Sequence, residues 1–237
     1  MRAMQNPIIV ALDVPTAEQA IALAQQVAPA VGAFKIGSEL FTAAGPEMVR
    51  RIRGTGASVF LDLKFHDIPN TVAKVVASAV RLDIQMLTIH TSGGLTMMKA
   101  AEDSARKTAE QAGLNVPLVL GVTVLTSMES DDLAEVGVTR SVGQQVESLA
   151  QLAARAGLRG LVCSPLEVAG LRQFLPSHMQ FVTPGIRASD DVAGDQKRTL
   201  SAKEAIEAGA TWLVIGRPIY AAPDPRAAAE KIRDSLL

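Results

Sequence analysis

Short apolar runs rich in β-branched residues alternate with stretches of helical periodicity along the chain. This order is typical of repeated strand–helix units that form a parallel sheet. Strands are predicted over eight segments: Ile8–Asp13, Ala33–Gly37, Ser58–Lys64, Met86–His90, Leu118–Val124, Gly160–Ser164, Gln180–Thr183 and Trp212–Ile215. Helices are predicted between and after them: Thr16–Ala28, Glu39–Arg53, Thr71–Leu82, Leu95–Ala112, Val142–Ala156, Pro165–Phe174, Ser201–Ala208 and Pro225–Leu236.

The even spacing of these units predicts their architecture. Eight units in 237 residues give a repeat of about 30 residues, the size of a strand–helix unit. No Pro-, Gly- or Ser-rich linker divides the chain, so we predict one (β/α)8 barrel domain over residues 1–237. The alternative is an open doubly wound sheet. That fold usually begins with a glycine-rich turn, whereas here the first strand leads into Asp13, Val14 and Pro15.

Composition excludes several classes of partner. With 23 basic and 24 acidic residues the net charge is −1, and aromatic residues make up only 3%. Neither an electrostatic field nor a base-stacking surface for nucleic acid is therefore expected. The single cysteine, Cys163, fits a reducing compartment and predicts a cytoplasmic protein. No apolar run approaches the roughly 18 residues of a spanning helix, so no membrane partner is predicted.

Charged residues collect where the predicted strands end, which is the rim that carries active sites in barrel enzymes. Asp62 and Lys64 are two residues apart in the third strand, so both side chains should point to the barrel interior. Burying two charges is costly unless they are paired. They form either a structural ion pair or part of a reaction centre, and their spacing leaves both possibilities open.

Other charged residues are ambiguous when taken alone. Lys35 could extend its ammonium to the surface, and Asp67 could be a solvated loop carboxylate. His66, His90 and His178 are the only histidines and lack the spacing of metal ligands, so no metal site is predicted. His90 is predicted to be a packed core residue.

Gly216 and Arg217 follow the eighth strand, and Gly185 and Arg187 follow the seventh. Barrels often bind phosphate in these two loops, through backbone N–H groups that glycine leaves accessible and through a cationic side chain. The same residues could also form an ordinary surface turn.

The segment from Asp62 to Thr71, DLKFHDIPNT, resembles the signature of the orotidine 5'-phosphate decarboxylase family. Sugar-phosphate decarboxylases and synthases on the same barrel share its D-x-K-x-x-D core. Four further segments resemble the decarboxylases in the same order: Val10–Asp13, Leu125–Met128, Thr183–Arg187 with Gly194–Gln196, and Ile215–Pro218. The resemblance extends over essentially the whole chain.

This resemblance implies decarboxylation of orotidine 5'-monophosphate to uridine 5'-monophosphate and CO₂, the final step of pyrimidine nucleotide synthesis, without a cofactor. It implies a catalytic network of alternating charge in which Lys64 is the proton donor: Lys35, Asp62, Lys64 and Asp67. It further implies a homodimer in which Asp67 and Thr71 reach into the neighbour's site.

The resemblance also assigns the substrate-binding residues. Asp13 and Lys35 would hold the ribose, and Thr126 would lie at the pyrimidine. Four residues would surround the phosphate: Arg187, Gln196, Gly216 and Arg217.

The chemistry of the reaction agrees with these residue types. Loss of CO₂ leaves an electron pair on C6 of the pyrimidine, so electrostatic stabilisation and a proton donor must carry catalysis. Lys64 lies between two carboxylates in the sequence, which favours its charged form. Asp62 would repel the substrate carboxylate until CO₂ leaves.

Two alternatives remain open at the level of sequence. A metal-dependent sugar-phosphate enzyme would use the two aspartates to bind Mg²⁺, although Thr126 and Gln196 suit a nucleotide better. A non-catalytic nucleotide-binding barrel would leave the complete set of Asp62, Lys64 and Asp67 without a purpose.

Overall fold

The computed structural model describes residues 6–187 and 199–236. Within these ranges eight parallel strands pair in chain order and close into a barrel, which confirms the predicted (β/α)8 fold. The strands are β1 Ile8–Ala11, β2 Ala33–Gly37, β3 Val59–Phe65, β4 Met86–His90, β5 Leu118–Val122, β6 Gly160–Val162, β7 Gln180–Thr183 and β8 Trp212–Ile215.

Helices follow the strands and surround the barrel. They are α1 Ala17–Val27, α2 Ser38–Arg53, α3 Pro69–Val80, α4 Gly94–Ala112, α5 Ser130–Glu135, α6 Val142–Arg155, α7 Pro165–Arg172, α8 Ala202–Glu207, α9 Arg217–Tyr220 and α10 Pro225–Asp234, with 3-10 turns at Ala28–Ala30 and Thr91–Gly93. The short helices α5 and α9 were not predicted, because neither is long enough to show an apolar period. Thr16 caps α1 by accepting a hydrogen bond from the Gln19 N–H, which satisfies one of its free N–H groups.

Successive side chains of each strand point alternately outward and inward, and this divides the core into two layers. In β1, Ile8 and Val10 pack towards the helices in the large apolar cluster. Ile9 points inward with Phe60, Met86 and other residues of the barrel interior. These apolar side chains fill much of the barrel interior below its carboxyl rim.

Several strands end at positions that differ from the prediction. β1, β5 and β6 each stop two residues earlier, which places Asp13, Val124 and Ser164 in loops at the carboxyl rim. The third strand extends to Phe65 but is irregular, and Lys64 has a positive φ of 50°. Among the described helices, none has both the length and the apolar character needed to cross a membrane.

Candidate active site

A cleft of about 670 Å³ opens at the carboxyl ends of the strands. Its volume is within the usual range for a small-molecule site, about 300–1,000 Å³. Its polar and charged lining includes residues from both halves of the barrel: Asp13, Lys35, Glu39, Asp62, Lys64, Thr126, Arg187, Arg217 and Tyr220.

Four charged side chains form a row of alternating sign on one wall of the cleft. The Lys64 ammonium donates to both carboxylate oxygens of Asp62 at 2.9 Å. The Lys35 ammonium lies 2.9 Å from Asp13 Oδ1 and 3.9 Å from Asp62 Oδ2. The side chains of Lys35 and Asp62 are only 12% and 13% exposed, so pairing offsets much of the cost of removing their charges from water.

The register of the first three strands brings these groups together. Ala11 of β1 pairs with Lys35, and Gly37 of β2 pairs with Asp62. Asp13 lies two residues past the end of β1, at the same rim. A Cβ atom on Gly37 would lie 3.1 Å from Lys35 Nζ, so the absence of a side chain there leaves room for the lysine.

The loop after β3 carries Asp67 away from this cleft. Asp67 is exposed, and its Oδ1 atom accepts a hydrogen bond from the Ile68 N–H at 2.6 Å. Thr71 is half-buried in the first turn of α3. Neither residue is among the described residues that line the cleft. One chain thus brings together Lys35, Asp62 and Lys64 of the predicted network, but not Asp67.

The wall of the cleft next to β1 is formed by the loops after β7 and β8. Gly185, Arg187, Gly216 and Arg217 all line it, and Arg217 is exposed. Gly185 has a φ of +77°, a conformation that glycine adopts without steric cost. A Cβ on Gly216 would lie 3.4 Å from the Tyr220 ring and about 4.0 Å from Asp13 Oδ2, so this turn packs closely against Tyr220 and the charged row.

Two further predictions concern the pyrimidine and the phosphate. Thr126 lines the cleft from the loop after β5. Gln196, together with Gly194 and Asp195, lies outside the described residues.

Sequence reasoning missed three residues of the site region. Glu39 lines the cleft from the start of α2, and Tyr220 lines it from the end of α9. Thr88 is fully buried beneath it and hydrogen-bonds both Asp62 and Lys64. The available signal was a lone hydroxyl in the apolar strand Met86–His90, two residues from the inward-facing Met86.

His90 lies at the rim and not in the core, so its predicted position was wrong. It is half-buried, and its ring centroid is 5.4 Å from that of His66. Burial lowers the pKa of His90, and the nearby His66 and Lys64 lower it further, while Asp62 opposes them. Among residues 6–187 and 199–236, no three or more His, Cys, Asp or Glu side chains are grouped so that they could hold a metal ion.

The fold and the charged cleft place the chain among (β/α)8-barrel enzymes. Residues 6–232 match the model of the orotidine 5'-phosphate decarboxylase / HUMPS family. A protein named orotidine 5'-phosphate decarboxylase from Opitutus terrae is 52% identical over 98% of this chain and 99% of its own. One of the same name from Actinobacillus pleuropneumoniae is 48% identical over 98% of this chain and 100% of its own.

A solved structure shows the same relationship in three dimensions. The orotidine 5'-phosphate decarboxylase from Lactobacillus acidophilus has a TM-score of 0.87 and 38% identity, covering 98% of this chain and 99% of that one. The chain belongs to the orotidine 5'-phosphate decarboxylase / HUMPS family. It is an enzyme, and its decarboxylase relatives make it a carboxy-lyase. The family suggested by the sequence motifs is confirmed.

Proposed function

We propose that this enzyme converts orotidine 5'-monophosphate into uridine 5'-monophosphate and CO₂, with Lys64 as the proton donor. The observation that carries the proposal is the Lys64 ammonium held against both oxygens of Asp62 within the cleft. The names of the full-length relatives support the substrate.

The reaction follows from the charges in the cleft. The bond between C6 and the carboxylate carbon breaks, CO₂ leaves, and the bonding electron pair remains on C6. A fixed ammonium beside C6 stabilises this developing charge more strongly than water would, because its orientation is already set. Lys64 then transfers a proton to C6, and solvent restores the proton to the amine.

Asp62 contributes in two ways. It orients the Lys64 ammonium through two hydrogen bonds of 2.9 Å. Its negative charge would also face the substrate carboxylate, and that repulsion disappears when neutral CO₂ departs.

Different walls of the cleft would bind different parts of the nucleotide. Asp13 and Lys35 would contact the ribose, and Thr126 would contact the pyrimidine. Arg187, Gly216 and Arg217 would hold the phosphate, a position supported by the cation-bearing loops after β7 and β8. Gln196 is proposed to join them. Phosphate contacts far from C6 promote the reaction by orienting the substrate.

We further propose a homodimer in which Asp67 and Thr71 complete the neighbour's site. This is supported by their position outside the cleft of their own chain and by the exposure of the adjacent Ile68, whose surface is 67% accessible. A single barrel domain over residues 1–237 and a cytoplasmic location remain parts of this proposal.

The pairing of Asp62 with Lys64 favours decarboxylation over magnesium-dependent sugar-phosphate chemistry. Asp62 already accepts two hydrogen bonds from the Lys64 ammonium inside the cleft. A magnesium site would need two carboxylates turned towards one Mg²⁺ ion. That ion would have to take the position that the Lys64 ammonium occupies beside Asp62.

The test is to incubate the purified protein with orotidine 5'-monophosphate and to follow the loss of its ultraviolet absorbance. We expect complete conversion to uridine 5'-monophosphate and CO₂, with the same rate in excess EDTA. Loss of activity in EDTA would favour the metal-dependent alternative. Tight nucleotide binding without any turnover would identify a nucleotide-binding protein instead of an enzyme of this activity.

A further inference from the structure

Thr88 lies opposite an irregular place in the pairing of β3 with β4, next to the catalytic pair Asp62 and Lys64. Leu61 of β3 pairs with Leu87 of β4, and Phe65 pairs with Ile89. Three residues of β3 therefore face the single residue Thr88, whose side chain is fully buried. This bulge bends the strand where its side chains enter the cleft.

The Thr88 hydroxyl is both a donor and an acceptor of hydrogen bonds to the catalytic pair. Thr88 Oγ1 accepts a hydrogen bond from the Lys64 backbone N–H at 2.9 Å. It lies 3.0 Å from Asp62 Oδ1. Because an N–H can only donate and an ionised carboxylate can only accept, the hydroxyl proton must point to Asp62.

The backbone of Lys64 needs such support. Its φ of 50° is in the left-handed region, which is unfavourable for a residue with a side chain. The bulge also removes the regular ladder partner of its N–H, and Thr88 supplies a replacement acceptor. Strained residues of this kind persist only where their surroundings hold them.

We propose that Thr88 is a positioning residue for decarboxylation, acting through both members of the catalytic pair. It fixes the Asp62 carboxylate through its O–H group and the Lys64 main chain through its oxygen. This inference rests on the proposed function of Lys64 and Asp62. Thr88 lies beneath the pair and would not touch the substrate.

The test compares two substitutions at this position. Thr88→Val keeps the shape of the side chain but removes both hydrogen bonds, whereas Thr88→Ser keeps the hydroxyl. We expect kcat to fall by about 10- to 100-fold in the valine variant, the usual effect of a misplaced catalytic group. KM and the affinity for uridine 5'-monophosphate should change by less than about threefold, because the binding groups remain in place. The serine variant should keep kcat within about threefold of wild type.

Thr91→Val is the matched control. Thr91 is equally buried, and its hydroxyl donates to the Val122 carbonyl at 2.7 Å, away from the charged row. This variant should lose stability without a fall in kcat. If the Thr88→Val protein does not fold, Thr88→Ala removes the same hydrogen bonds without bulk, and the same results are expected.

Amide hydrogen exchange supplies a readout that needs no substrate. The Lys64 N–H should exchange at least about tenfold faster in Thr88→Val than in wild type or Thr88→Ser. If wild type does not turn over orotidine 5'-monophosphate, the proposed function fails while the exchange result still tests the contact. Unchanged kcat in Thr88→Val, or equal losses in the valine and serine variants, would overturn the positioning role.

Discussion

A shared active site can be tested by mixing two inactive variants. Lys64 lines the cleft of its own chain, whereas Asp67 is exposed outside it. If Asp67 completes the partner's site, each site of the dimer takes these two residues from different chains. Lys64→Ala and Asp67→Ala homodimers should then both be nearly inactive, because every site carries one lesion.

The recovered activity follows from random pairing. When equal amounts of the two variants are unfolded and refolded together, about half of the dimers are hybrids. A hybrid collects both lesions in one site and leaves its other site intact. Decarboxylation should therefore return to about one quarter of the wild-type rate, half the dimers times half of their sites.

The control pairs Lys64→Ala with Asp62→Ala. These residues lie in the same cleft of the same chain, so each site of that hybrid keeps one lesion and no activity should return. Different affinity tags on the two subunits allow the hybrid to be isolated and counted. An inactive Lys64–Asp67 hybrid, with subunit exchange demonstrated by the tags, would refute the shared site and leave the proposed decarboxylase activity untouched.

Two further predictions concern the phosphate loop and acid stability. Arg217→Ala should raise KM for orotidine 5'-monophosphate by about 10- to 100-fold, the range for a lost charged hydrogen bond, but leave turnover of orotidine unchanged. Equal losses on both substrates in steady-state assays would contradict a phosphate contact. The pKa of His90 in the folded protein is lowered from its unfolded value of about 6.5. Its contribution to the free energy of unfolding is therefore fully present above a pH of about 6.5. That contribution is lost as the pH falls through the folded pKa. In urea unfolding, the free energy of unfolding of His90→Gln should therefore fall less between pH 8 and pH 5 than that of wild type. Identical losses in the two proteins would show that His90 does not contribute to the loss of stability in acid.

The fold was predictable because each strand–helix unit is a local pattern. Apolar runs such as Met86–His90 and Gln180–Thr183 have the same limits in the sequence and in the structure. The cluster of charges was also predictable, since parallel strands end at one rim. Asp13, Lys35, Asp62 and Lys64 meet there as expected.

The irregular features could not be predicted from the alternation of side chains along a regular strand. A regular strand would place Asp62 and Lys64 on one face. Instead the chain reaches that arrangement through a bulge with a positive φ at Lys64. The register shift depends on how β3 pairs with β4, which is distant in the sequence. The contact between Thr88 and the charged residues of β3 could therefore not be inferred from the sequence. The spacing also did not show that the loop turns Asp67 out of its own cleft.

The most direct test of Lys64 as the proton donor compares nucleotide binding and turnover in the Lys64→Ala variant. The variant should bind uridine 5'-monophosphate within about tenfold of wild type in calorimetry, because the ammonium acts mainly in the transition state. Its kcat for orotidine 5'-monophosphate should fall by at least about 1,000-fold, since both a proton donor and a fixed charge are lost. Lys203→Ala, exposed on α8 outside the cleft, should match wild type in both measurements. Turnover by Lys64→Ala within tenfold of wild type would contradict the role of Lys64 as proton donor.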